Sequence, residues 1–164
     1  ENATGLNFQE YADTRLFDKL NINETWWTDK NGNTLTYAGL DMTPREFAKF
    51  GLMIAQEGKW LGEQIVSESW IKQMTSSSQL NPNYGYLTWL GMEHQERRIY
   101  NNKSTATGFH SEPYIDKDVI YFDGFGGQRV YIIPSRELVI VRTGAIKMDW
   151  DDAKLPNIIS KGIL

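Results

Sequence analysis

Val119-Ile-Tyr-Phe-Asp-Gly-Phe-Gly-Gly-Gln-Arg-Val-Tyr-Ile-Ile-Pro134, with Glu137-Leu-Val-Ile-Val-Arg-Thr143 close behind it, decides the fold. β-branched and aromatic residues flank a tight glycine cluster, and a Pro-Ser-Arg turn separates the second run. The pattern predicts strand, glycine-lined approach, strand, turn, strand. Glycines at 124, 126 and 127 remove side chains where another group must approach the backbone. Two readings follow. One is a bulged antiparallel hairpin in an ordinary sheet; the other is a strand edge that presents backbone N–H groups to a substrate carbonyl.

Outward from this core, the chain punctuates itself clearly. Asn7-Phe-Gln-Glu10 has capping-box form, and the apolar spacing after it predicts a helix over about 8–19. Residues 26–39 carry an Asn-Gly pair between β-prone flanks, which suggests a small hairpin or a wandering loop. Thr43-Pro44-Arg45-Glu46 is the strongest helix start, with Gly58 placed as its stop. Ser67 caps a third helix whose Trp70, Ile71 and Met74 are expected to face inward. Tyr84-Gly-Tyr-Leu-Thr-Trp-Leu90 reads as an aromatic-rich strand, in which Tyr84, Tyr86 and Trp89 line either the core or a pocket. Residues 92–117 form a long polar insertion of the kind used as lids or binding loops. Pro156–Leu164 is expected to be a short terminal helix.

A chain of 164 residues suits one domain with a real core. Forty per cent of its residues are hydrophobic and 13% aromatic, which excludes a disordered chain. The net charge is −4 and the 17 basic residues form no stripe, so a nucleic-acid binder is not expected. No apolar run reaches the roughly 20 residues of a membrane span. With no cysteine, disulfides, thiolate metal sites and cysteine nucleophiles drop out.

The order of the motifs carries a resemblance. Thr4-Gly-Leu-Asn-Phe-Gln-Glu-Tyr, Arg15-Leu-Phe-Asp-Lys-Leu-Asn-Ile, Gly39-Leu-Asp-Met-Thr-Pro-Arg-Glu-Phe-Ala-Lys-Phe-Gly51, Gly58-Lys-Trp-Leu-Gly, Tyr84-Gly-Tyr-Leu-Thr-Trp and Gly124-Phe-Gly-Gly-Gln occur in turn. Together they resemble the C-terminal half of the β-lactamase-related serine hydrolases, the group of class C β-lactamases, D-alanyl-D-alanine peptidases, esterases and 6-aminohexanoate-dimer hydrolases. The resemblance implies an α/β (α+β) fold of the β-lactamase/penicillin-binding-protein type, an antiparallel sheet flanked by helices. It implies one catalytic domain, of which residues 1–164 are the later part: a helical region over about 1–83, then strands and a terminal helix over about 84–164.

The family's Ser-x-x-Lys nucleophile and Tyr-x-Asn loop are then expected upstream of Glu1, in a missing N-terminal segment. That segment is the expected partner of this chain. The resemblance further implies a metal-free, cofactor-free enzyme acting on a small amide or ester, periplasmic or secreted. Phe122-Asp123-Gly124 aligns with the family's Lys-Thr-Gly strand, so its usual cation is missing here. The backbone N–H of Phe125, beside Gly124, takes the oxyanion role by resemblance, and Asp123, Gly126, Gly127, Gln128, Tyr84, Tyr86 and Trp89 become candidate substrate contacts. The alternative is a non-catalytic binding or regulatory domain on the same scaffold.

Several lookalikes are set aside. Ser69-Trp-Ile-Lys72 fits Ser-x-x-Lys and Tyr100-Asn-Asn102 fits Tyr-x-Asn, but both sit at the wrong place in the motif order. His94 and His110 lack ligand-like spacing. Asp149, Asp151 and Asp152 read as a solvated, dipole-friendly helix start.

Overall fold

A computed structural model describes residues 4–91, 96–99 and 107–163. The first helix opens as its cap dictates, with the Asn7 side-chain oxygen accepting from the N–H groups of Gln9 and Glu10 at 2.9 and 3.4 Å. Helix α1 (Phe8–Ala12) runs through a π-helical turn (Asp13–Phe17) into α2 (Asp18–Leu20). The expected helix over 8–19 is thus present but interrupted by one wide turn, which ends on the buried Phe17 and shifts the helix phase ahead of the buried Leu20. Asn21, in the left-handed region at φ 49°, ends it.

Strand β1 (Thr25–Trp26) pairs with β2 (Leu40–Asp41). Between them Asp29 staples the loop, accepting from the backbone of Asn31 and Asn33 and from the Asn33 side chain. Helix α3 (Pro44–Ala55) starts on a complete capping box. Glu46 accepts from Thr43 N and Oγ1 at 2.8 and 2.7 Å, and its other oxygen accepts from Asn23 N at 2.9 Å. The cap therefore also ties α3 to the chain following α2. The chain reverses through Glu57 and Gly58 (φ 56° and 87°) into the tight hairpin of β3 (Lys59–Trp60) and β4 (Glu63–Gln64).

Helix α4 (Glu68–Met74) is capped by Ser67 and buries Ile71. Trp70 corrects the expectation of an inward face: it is 47% exposed and stacks on Tyr86, with ring centroids 5.6 Å apart. The expected strand over 84–90 is corrected as well. Only β5 (Trp89–Leu90) is extended in the sheet. The preceding residues fold back, with Gly85 N donating to Thr88 O at 2.8 Å and Leu87 at φ 54°. The Thr88 hydroxyl, donating to Met74 O, anchors this turn to the end of α4. Strands β6 (Glu96–Ile99) and β7 (Thr107–Phe109) pair antiparallel within the stretch read as a long polar insertion.

The quoted core stretch folds as its pattern predicts. Strands β8 (Ile120–Gly124), β9 (Gln128–Ile133) and β10 (Leu138–Arg142) join β5 in an antiparallel sheet of order β10–β9–β8–β5. A 3₁₀ turn over Phe125–Gly127 links β8 to β9. Helix α5 (Lys154–Gly162) closes the chain, starting two residues before the expected bound.

Both faces of this sheet are covered, which is why Val130–Ile133 of β9 reads as a continuous apolar run. Ile120, Phe122, Val130, Ile132, Val139 and Val141 pack with residues of the helical region. The alternate residues Tyr121, Tyr131, Ile133 and Ile140 pack with Ala153, Leu155 and Ile159 of the α5 region. Among the described residues no helix is long and apolar enough to cross a membrane.

Candidate functional site

A cleft of about 320 Å³ lies at the Gly124 end of the sheet. Its walls include Tyr84, Trp89, Phe122, Asp123, Gly124, Gln128, Arg142 and Thr143. The structure thus gathers five of the residues expected at the site: Tyr84, Trp89, Asp123, Gly124 and Gln128. Tyr84 and Trp89 meet ring to ring at 4.6 Å. Tyr86 is turned away onto Trp70 and lines a neighbouring apolar hollow of about 530 Å³. Cleft and hollow share Phe47, Leu87 and Phe122.

The turn at the cleft's end is held from two sides. Arg129 lies opposite Asp123 across the β8–β9 ladder. Its Nη1 reaches Asp123 Oδ1 at 2.6 Å and its Nε reaches Asp152 Oδ1 at 2.6 Å. All three side chains are buried, with exposures of 5%, 2% and 0% for Arg129, Asp123 and Asp152. Nη1 also donates to the carbonyl oxygens of Gly124 and Gln128, both at 2.9 Å. Burial works against the charge on Arg129, but Asp152 and Asp123 outweigh it and hold the guanidinium pKa above its ordinary value.

On the other side Arg142 donates to Gly127 O at 2.8 Å and lies over the Trp150 ring at 4.4 Å. Lys147 N donates to Gly126 O at 2.8 Å. Gln128 clamps the chain beyond β10, donating to Gly144 O at 2.9 Å and accepting from Gly144 N at 3.0 Å. The glycine cluster is explained by these contacts. Gly126 and Gly127 sit at φ 72° and 86°, and an added Cβ would meet Ile146 at 3.1 Å and Lys147 O at 3.0 Å. Their close approach is to the 144–150 segment of the same chain. Phe125, by contrast, stands 72% exposed at the corner.

The acidic cluster needs correction. Asp149 pairs with Lys147 at the surface as a solvated group would. Asp151 accepts from Ala153 N at 3.2 Å and from Ser111 N and Oγ. Asp152 is fully buried against Arg129, because α5 lies on the sheet face that carries Arg129 and Asp123. Arg129 and Arg142 hold the turn without having been expected there, and Asp152 is buried where a solvated helix start was expected. Arg129 was open to inference, since a five-residue turn with Gly124 opposite Gln128 places 123 and 129 as a facing pair; Asp152 left no local signal.

Ser69 and Lys72 are exposed on α4, with Ser69 Oγ donating to Ser67 Oγ at 3.2 Å, and neither lines the cleft. His110 Nδ1 contacts Glu112 O at 2.9 Å. His94 and Tyr100-Asn-Asn102 lie outside the described residues.

With this geometry in view, three likenesses to known proteins bear on the chain. The 6-aminohexanoate-dimer hydrolase of Paenarthrobacter ureafaciens is 23% identical over 159 residues, covering 93% of this chain and 36% of the relative. The structure "Putative 6-aminohexanoate-dimer hydrolase from Bacillus anthracis" matches with a TM-score of 0.68 at 20% identity, covering 98% of this chain and 38% of that one. The structure of a "putative beta-lactamase from Bacteroides dorei DSM 17855" matches with a TM-score of 0.59 at 14% identity, covering 91% and 49%. No protein-family model matches. The fold is β-lactamase-like, and the resemblance to β-lactamase-related hydrolases read from the motifs holds in both sequence and structure. The chain spans about a third of the curated relative's length.

Proposed function

We propose that this chain is the later part of a serine hydrolase that cleaves amide or ester bonds through an acyl-enzyme. The observation that supports it most is the sequence match to a hydrolase along nearly the whole chain, in which a glycine turn lies at the end of an open cleft. In this reading the nucleophilic serine and its lysine belong to residues upstream of Glu1. The N–H of Phe125 stabilises the charge that develops on the carbonyl oxygen in the tetrahedral intermediate. Tyr84 and Trp89 flank the substrate, and Gly124 leaves room for it.

The same upstream residues are the proposed partner of two open surfaces. Strand β10 is one edge of the sheet among the described residues, and in this reading a further strand pairs with it. The 530 Å³ hollow lined by Phe8, Leu16, Trp26, Phe47 and Phe122 is apolar enough to receive a buried helix. Substrate contact at Gln128, Gly126 and Gly127 becomes indirect in this reading, through the backbone shape they maintain. Asp123 acts through Arg129.

One observation favours the second reading, a binding or regulatory domain without chemistry. Phe122 stands where the resembled family has a cation, and it packs on Phe50 with centroids 5.7 Å apart.

The test is Phe125→Pro in the longer polypeptide. Gly124 is extended (φ −88°, ψ 155°), so a proline fits after it while its missing N–H removes the donor. Hydrolysis of a nitrophenyl ester should lose roughly 10²–10³-fold in kcat. Unchanged kcat in a folded variant contradicts the assignment.

A further inference from the structure

We infer that Arg129 is a positioning residue for the proposed hydrolysis: it orients and polarises the Gly124–Phe125 peptide so that the Phe125 N–H faces the reacting carbonyl. The inference rests on the reading of Phe125 as oxyanion donor.

In a trans peptide the carbonyl of one residue and the N–H of the next point in opposite directions. The Gly124 oxygen is fixed by Arg129 Nη1 at 2.9 Å. Fixing that oxygen on the buried side fixes the Phe125 N–H on the opposite side, where Phe125 itself is exposed. The same Nη1 holds the Gln128 oxygen, so one guanidinium grips both ends of the turn. A cation on a peptide oxygen also draws electron density toward it and makes the attached N–H a stronger donor.

The carboxylates explain why the arm is rigid. Asp123 reaches Arg129 from the neighbouring strand and Asp152 reaches it from the start of the α5 region. A lone arginine would keep several rotamers, whereas two buried carboxylates leave it one. They also carry two negative charges against one positive charge. Without the guanidinium those charges would face a developing oxyanion, so orientation and charge must be separated experimentally.

Two variants of the longer polypeptide make that separation. Arg129→Lys keeps the charge and loses the fork. The triple variant Arg129→Met, Asp123→Asn, Asp152→Asn removes fork and charges together and leaves no buried ion without a partner. Both should lose roughly 10–100-fold in kcat with KM changed less than about threefold, since misplacing a catalytic group by about 1 Å costs on that order. Arg129→Ala should regain part of its kcat in millimolar guanidinium chloride and none in sodium chloride of equal strength. A folded triple variant with parental kcat overturns the inference, as does a loss carried by KM alone.

A ¹H–¹⁵N spectrum of the chain itself separates this inference from the reading below it. If the longer polypeptide proves inactive, the hydrolase reading fails. The Phe125 amide then tests the hold of Arg129 on the Gly124–Phe125 peptide by itself: an upfield proton shift in Arg129→Lys sustains it, and an unmoved signal overturns it.

Discussion

Arg129 and Asp152 lie 23 positions apart in the chain and meet at 2.6 Å, Nε against Oδ1, in the interior between the sheet and the α5 region. The contact joins the turn that ends the cleft to the last helix. It makes the geometry of a surface corner depend on a buried charge cluster.

Breaking that cluster on one side should be severe. Arg129→Met takes the guanidinium away from two buried carboxylates and should cost about 3–5 kcal/mol, as loss of one partner of a buried ion pair generally does. The triple neutral variant should recover most of that loss. Urea denaturation of both proteins checks this; a cost below about 1 kcal/mol for the single variant contradicts the burial and pairing described.

Two glycines with the same backbone angle should respond differently to alanine. Gly58 and Gly62 both have φ 87°, but an added Cβ would lie 2.0 Å from Val66 O at Gly58 and meets nothing within 4 Å at Gly62. Gly62→Ala should cost only left-handed strain, about 1 kcal/mol. Gly58→Ala should cost at least about 2 kcal/mol more, since backbone must move. Equal melting temperatures for the two variants would contradict the packing.

Stability should fall as pH rises because of Glu24. Its partial burial and the side-chain hydrogen bond to Asp13 raise its pKa to about 7 in the folded chain, with Asp18 adding repulsion. An unperturbed glutamate carboxyl titrates at 4.5, so the folded state binds this proton more tightly. Its contribution is fully present below pH 4.5 and is lost as pH rises through about 7. Glu24→Gln should therefore gain stability relative to the parent between pH 5 and pH 8, measured by denaturation at the two values. A gap that stays constant removes Glu24 as the cause.

Thr43→Ala should cost about 1 kcal/mol through loss of the α3 cap. Glu46 adds a pH signature of opposite sign. Hydrogen bonds from Asn23 N and Thr43 hold its carboxyl below the usual range. That stabilisation is present above the ordinary carboxylate pKa and is lost as pH falls through the depressed one. Acid unfolding of Thr43→Ala at higher pH than the parent is the expected result; an identical acid midpoint contradicts it.

What the residues disclosed depended on how local the signal was. Thr43-Pro44-Arg45-Glu46 specifies its helix start within four residues, and the structure has the capping box it spells. The run from Val119 to Thr143 declared three strands because both sheet faces are apolar and its turns carry Gly or Pro. Tyr84–Leu90 misled because its aromatic alternation mimics a strand, while Gly85 and the Thr88–Met74 hydrogen bond fold it into a turn. Asp152 misled because its neighbours at 149 and 151 are surface groups and its partner arrives from β9. Arg129 was inferable from its place opposite Asp123 across the glycine turn, but Arg142 and Asp152 carried no local mark of the contacts they make there.

The most direct test of the hydrolase account is a fluorophosphonate label followed by peptide mass mapping, run on the longer polypeptide and on residues 1–164 alone. The account predicts a single adduct, on a serine upstream of Glu1, and none on the 164-residue chain. An adduct on Ser69 or any other serine within the chain, or no adduct on the longer polypeptide, would contradict it.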